Sequence, residues 1–115
     1  MTTAHLVAAR DEIPDGEAKI ISAETLGTSD NVAVFHSDGA YYALDDTCTH
    51  EDASLGDGWI EGDQVECPIH AAKFCLRTGV ALCLPASIPA RTHDVEVRDD
   101  GIWLHPNVEA AAING

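Results

Sequence analysis

The chain has 115 residues, enough for one domain with one core and too few for two domains of ordinary size. Twenty acidic residues against six basic ones leave a formal net charge of −14. That charge repels phosphate backbones and anionic lipid headgroups, so neither nucleic acid nor a membrane surface is expected as a partner. With two Trp, two Tyr and two Phe, the core must be built mainly from Ala, Val, Leu and Ile.

Short segments separated by turn residues run along the whole chain, without sustained helical periodicity, and the expectation is an all-β fold. AHLVAA (4–9) precedes the turn-rich EIPDGE, and AKIISA (18–23) ends at the polar break GTSDN. NVAVFH (31–36) and AYYALD (40–45) flank Ser37, Asp38 and Gly39, a hairpin signal because glycine accepts positive φ. The segment 47–64 has little strand character and reads as a long loop, which in a small domain is usually functional. DQVEC (63–67) follows; KFCL (73–76) and VALCL (80–84) then flank Arg77, Thr78 and Gly79 as a second hairpin. A third hairpin joins THDVEVR (92–98) to IWLH (102–105) through Asp99, Asp100 and Gly101. Val95 and Val97 alternate with charged residues, the period of a half-buried strand. The terminal PNVEAAAING (106–115) reads as a short helix or a frayed end. Strands at this spacing with tight turns indicate an antiparallel sandwich or small barrel, not parallel βαβ units.

Arg10, Asp11, Glu12, Pro14, Asp15, Glu17 and Lys19 interrupt any early apolar run of signal-peptide length. No later run approaches the roughly 18 apolar residues of a membrane span. A cytoplasmic protein is expected, and in a reducing compartment four cysteines point to metal or redox chemistry before disulfides.

Two of those cysteines are paired with histidines. Cys48 is followed two residues on by His50; after sixteen intervening residues comes Cys67, with His70 three residues beyond it. Each pair sits beside turn residues, so two loops can each offer one thiolate and one imidazole to a centre held between them. Two cysteines and two histidines are an acceptable tetrahedral zinc set, although zinc knuckles usually place both cysteines on one loop. A binuclear iron–sulfur centre accounts for the mixed loops if both thiolates bind one iron and both imidazoles the other. In that arrangement two ferric ions, two sulfides, two thiolates and two neutral imidazoles sum to zero charge. An added electron is then accepted more readily than by a four-thiolate centre. The second ring nitrogen of each histidine would couple the potential to pH.

C-T-H at 48–50 and C-P-I-H at 67–70 resemble the two cluster-binding loops of Rieske proteins. Within that superfamily the chain is similar to the small ferredoxins of bacterial aromatic ring-hydroxylating dioxygenases of the naphthalene, biphenyl and carbazole type. The likeness extends over VAVFHSDGAYYALDDTCTH (32–50), DGWIEGDQVECPIH (57–70) and KFCLRTGVALCLP (73–85). It implies a Rieske-like antiparallel β-sandwich or small barrel, a single domain over 1–115, with a cluster-binding subdomain at about 46–86 formed by two loops. It implies one 2Fe-2S cluster with Cys48 and Cys67 on the inner iron, His50 and His70 on the outer iron, and a covering loop around Pro85.

Respiratory Rieske proteins lock their loops with a disulfide. Here the corresponding positions look like Ala53 and Ile69, and the residues after His70 are Ala71 and Ala72, so no lock can form. Few hydrogen bonds to the cluster and an acidic surround imply a low potential within the Rieske range of about −150 to +300 mV. Glu51 and Ala71 stand where glycine is common, and Cys75 where aspartate is usual.

The remaining residues have plainer assignments. Cys75 and Cys83 read as small buried thiols, and Cys75 is expected opposite Ala81, too far from Cys83 for a cross-strand disulfide. His5, His36, His93 and His105 read as surface or hydrogen-bonded structural residues, Trp59 and Trp103 as core fillers, and Asp45, Asp46, Asp99 and Asp100 as turn residues. No Ser/His/Asp set or phosphate-cradling glycine loop is present, and the chain has no room for a mononuclear oxygenase iron site. The resemblance implies an electron carrier, not an enzyme, expected to be monomeric. It would pass one electron at a time from a flavin-containing ferredoxin reductase to a terminal dioxygenase. Pro68, Ile69 and Pro85, ringed by Glu51 and Asp52, would form the docking patch. The alternatives are a zinc-stabilised binding module and a relative of the nitrite reductase small subunit.

Overall fold

The structure, a computed structural model, describes residues 4–48, 53–68, 72–83 and 89–106, without the side chain of Cys83. The strands are β1 (His5–Ala8), β2 (Glu17–Ile21), β3 (Val32–Ser37), β4 (Ala40–Asp45), β5 (Trp59–Glu61), β6 (Gln64–Glu66), β7 (Lys73–Cys75), β8 (Ala81–Cys83), β9 (Thr92–Arg98) and β10 (Gly101–His105). One short helix, α1 (Ala23–Leu26), follows β2. Six strands form a sheet in the order β1-β10-β9-β4-β3-β2, and β5-β6-β7-β8 form a second sheet inserted between β4 and β9. Every strand pairing among the described residues is antiparallel, in line with the turn spacing.

The three expected hairpins are present. In the first, Ser37 pairs with Ala40 around Asp38 and Gly39, whose φ angles of 52° and 80° give the doubly left-handed turn that matches strand twist. The Asp15 carboxylate accepts from the Gly39 and Asp38 backbone N–H groups, and these two bonds hold its pKa below the ordinary carboxylate value.

The run VAVF in β3 does not alternate, and the structure shows why. Val32 and Val34 face a core shared with Val7, Ile21, Ile102 and Leu104, while Ala33 and Phe35 face a second core with Leu44, Leu55, Val65 and Phe74. This inner strand is buried on both faces because the small sheet covers the one that would otherwise meet solvent. Each fully buried Val, Leu, Ile or Phe contributes about 1.5–3 kcal/mol, so the second core fastens the small sheet firmly to the large one.

Several expectations fail on local grounds. The supposed loop 47–64 contains a single turn of 3-10 helix, Leu55–Asp57, and the strand β5. Three residues cannot display a period of their own, and β5 owes its form to pairing with β6. Trp59 is 65% exposed on that strand and is no core filler. Trp103 is half-buried, with its indole N–H donating to Asp100 at 2.9 Å and the Arg98 guanidinium 4.5 Å above its ring. Val95 packs against the core, but Val97 is 47% exposed because β9 leaves the core towards its end. The β7/β8 register shifts between Lys73 and Phe74, so Ala81 stands opposite Phe74 and Cys83 opposite Lys73, not Ala81 opposite Cys75. The helix α1 is too short for periodicity, yet its ends were written in the sequence. The Ser22 hydroxyl accepts from Glu24 N at 3.2 Å, and Gly27 closes the helix in the left-handed conformation. The stretch 107–115 lies outside the described residues.

Candidate metal centre

β4 delivers the first cysteine. Beyond Asp45, whose N–H donates to Arg91 O at 2.9 Å, the chain turns out of the large sheet, and Thr47 forms a single antiparallel bridge with Ser54. Cys48 N–H donates to Ala53 O at 2.8 Å and closes the loop between them. The second cysteine follows β6. Glu66 pairs with Lys73 of β7, and Cys67 N–H donates to Ala72 O at 2.6 Å.

The two loops are equivalent position by position: Thr47, Cys48, Ala53, Ser54 and Leu55 correspond to Glu66, Cys67, Ala72, Lys73 and Phe74. Leu55 and Phe74 are both fully buried beneath their loops. The histidines break the correspondence, since one stands two residues after its cysteine and the other three. His50 and His70 lie outside the described residues, as do Glu51, Asp52, Ile69, Ala71 and the loop around Pro85.

Cys48 and Cys67 are 3% and 0% exposed and belong to one apolar cluster with Phe35, Leu44, Leu55, Val65, Ala72 and Phe74. Both are thiols. Two soft sulfur donors in one buried apolar cluster beside two matched loops suit an iron–sulfur centre, to which they could offer thiolate ligands and an apolar inner wall. The donor set therefore fits a 2Fe-2S group.

What holds each loop differs. Asp46, expected as a turn residue, is buried, and its Oδ1 accepts from Ser54 Oγ at 2.8 Å and Gly56 N at 2.9 Å. Asp45, expected in a turn, is instead the last residue of β4, and its Oδ1 lies 2.7 Å from Nε2 of the buried His93 and ties β4 to β9. On the second loop the Lys73 ammonium stands 3.9 Å from the Glu66 carboxylate, a part-exposed and weak pair. Just before β5 the backbone runs close to the entry of the second loop: a Cβ on Gly58 would lie 2.1 Å from Glu66 O, directly before Cys67.

Three of the other histidines, His36, His93 and His105, are hydrogen-bonded, as expected. His36 Nδ1 lies 2.7 Å from Ile13 O with its ring stacked on Tyr41, and His105 Nε2 lies 3.0 Å from Glu96. Cys75 is buried, and burial opposes its ionisation. The Thr78 hydroxyl with the Thr78 and Arg77 backbone N–H groups outweighs that, and the thiol pKa falls below its ordinary value.

A family model described as the Rieske [2Fe-2S] domain matches residues 3–96. The 3-phenylpropionate/cinnamic acid dioxygenase ferredoxin subunit of Photorhabdus laumondii subsp. laumondii is 45% identical over 82% of this chain and 86% of its own. The ferredoxin of carbazole 1,9a-dioxygenase from Nocardioides aromaticivorans IC177 superposes with a TM-score of 0.82 at 29% identity, covering 92% of this chain and all of that one. A chain from the complex of reduced oxygenase and oxidized ferredoxin in carbazole 1,9a-dioxygenase gives a TM-score of 0.83 at 28% identity over 91% and 94% of the two chains. The paired cysteine loops on this antiparallel frame are those of a Rieske protein, and the chain belongs to that family. Within it, this is an electron-transfer ferredoxin of the dioxygenase type, a carrier and not a catalyst, whose cofactor is a Rieske 2Fe-2S cluster.

Proposed function

We propose that Cys48, His50, Cys67 and His70 are the four cluster ligands, and that the whole chain is one domain. It would take electrons singly from a flavin-containing reductase and deliver them to the terminal oxygenase of an aromatic ring-hydroxylating dioxygenase. The observation that carries this is the matched pair of loops, each closed by a Cys N–H to Ala C=O bond, with both sulfurs buried in one apolar cluster. When bound, the cluster supplies reversible one-electron chemistry at a centre of low formal charge. Cys48 and Cys67 anchor it on the buried, apolar side, and exchange with a partner would pass through the His50 and His70 ligands. Similarity to a 3-phenylpropionate/cinnamic acid dioxygenase ferredoxin supports an aromatic-ring oxygenase as acceptor. A net charge of −14 favours basic surfaces on both partners, reached in short-lived complexes. Among the described residues no helix is long and apolar enough to cross a membrane. We place the monomer in the cytoplasm, where thiols stay reduced.

The test is spectroscopic. Purified protein should show visible absorption bleached by dithionite and contain acid-labile sulfide, and replacing any of the four ligands by alanine should abolish both. A colourless native protein with one zinc would overturn the assignment. Turnover with purified reductase and oxygenase should slow as ionic strength rises; a rate indifferent to salt would remove the electrostatic part.

A further inference from the structure

The first loop is held from outside by a residue that neither the ligand pattern nor the strand pattern singles out. Asp30 lies in the polar break between α1 and β3, 17 residues before Thr47. Its Oδ2 accepts from Thr47 N at 3.0 Å and its Oδ1 from Thr47 Oγ1 at 2.8 Å. One carboxylate thus takes both donors of the residue preceding Cys48, fixing the backbone on which that cysteine is mounted.

Asp30 is itself tied down. Thr28 Oγ1 donates to Asp30 O at 2.7 Å, and the Thr28 N–H bonds back to Ala23 O at 3.2 Å in the cap of α1. Its neighbour Asn31 accepts from Ala23 N through Oδ1 at 2.9 Å and from Asp46 N through its carbonyl at 2.8 Å. A continuous set of bonds therefore runs from the cap of α1 through Asp30 and Asn31 to Asp46 and Thr47. On the second loop the position of Thr47 is taken by Glu66, which is paired within a sheet and needs no such strap.

We propose that Asp30 is a positioning residue for the cluster: by capturing both donors of Thr47 it holds the Cys48 loop in its ligating conformation. This rests on Cys48 being a ligand. Partners that orient a metal ligand typically account for about 10–100-fold in metal retention, and a residue acting one step back along the chain should fall at the lower end.

The experiment uses the cluster-loaded protein and follows the decay of visible absorbance under excess chelator, together with the EPR line positions of the reduced form. Asp30→Ala should lose its cluster about tenfold faster than the parent and shift the EPR lines, which a general loss of stability would not move. Thr47→Ser, which keeps both donors, should behave as the parent, whereas Thr47→Val, which keeps only the backbone donor, should fall between. Asp99→Asn removes the same charge at the opposite end of the large sheet and should leave both readouts unchanged. Parent-like decay and EPR lines in Asp30→Ala would overturn the proposal. Should that variant fail to fold, parent-like behaviour of Thr47→Val would overturn it equally. A Cys48→Ala protein that kept its cluster would instead overturn the ligand assignment and the proposal with it. Parent-like Asp30→Ala beside a cluster-free Cys48→Ala would overturn the proposal alone.

Discussion

The loop that begins at Cys48 and the loop that begins at Cys67 have the same length and the same closing bond, but they stand on different foundations. The second rises from the middle of a four-stranded sheet, where Val65 and Phe74 pair across β6 and β7 and are both fully buried. The first rises from one isolated bridge, Thr47 to Ser54, and carboxylates make up the difference: Asp46 gathers Ser54 and Gly56, and Asp30 gathers Thr47. A ligand loop can thus be fixed either by repetitive backbone pairing, which requires neighbours on both sides, or by a few charge-assisted bonds, which require only well-placed aspartates. In the second way much depends on single residues.

That difference can be broken at its joint. Gly58→Ala should be the most damaging, because the new Cβ would meet the Glu66 carbonyl and displace the backbone leading into Cys67. A loss of about 3 kcal/mol in chemical denaturation is expected, with fewer molecules assembling a cluster; parent-like stability would mean that the backbones at Gly58 and Glu66 are not in close contact. Asp46→Ala comes next, at about 2 kcal/mol, since Ser54 Oγ and Gly56 N lose their acceptor, and Asp46→Asn should restore most of it through the retained Oδ1. Equal losses in both variants would show that charge, not the acceptor position, matters. On the other loop Lys73→Met should cost under about 1 kcal/mol, because the Glu66–Lys73 pair is part-exposed and the sheet already fixes the register. A larger loss would erase the contrast between the loops.

The smallest effect sharpens the comparison from outside it. Glu96 on β9 has its carboxyl pKa lowered from 4.5 to about 2, first by the Arg98 side chain and then by His105. A carboxyl depressed in the folded state contributes stability that is complete above its ordinary value and lost as pH falls through about 2. The thermal midpoints of the parent and Glu96→Gln should therefore differ at neutral pH and converge as pH drops below 4.5 towards 2, while the visible spectrum at neutral pH stays the same. A spectrum altered by Glu96→Gln would show that the strand's far end communicates with the loops.

The legible parts of the molecule were those with local signals. The turn Asp38–Gly39 announced its hairpin, and the Cys/His spacings announced both loops, although His50 and His70 themselves lie outside the described residues. The unbroken apolar run of β3 was legible as a strand, but not as one covered on both sides, because the covering sheet comes from residues far along the chain. The brief strand at Trp59 was hidden because its form comes from β6, and a tryptophan is normally assigned to a core until an edge position exposes it. Asp30 and Asp46 were hidden more deeply. An aspartate in a polar break or before a loop looks the same whether it faces water or straps a neighbour 17 or 8 residues away. Only the folded path distinguishes these cases.

The double burial of β3 has a consequence for how the molecule comes apart. Val32 to Phe35 form a party wall, with the large sheet's core on one side and the cysteine-bearing core on the other, so neither room can be opened without exposing the wall itself. Release of the iron should therefore be felt as faster amide exchange on the side remote from the metal, at Val32 and Val34, and the protein would report the state of its cargo through its whole frame.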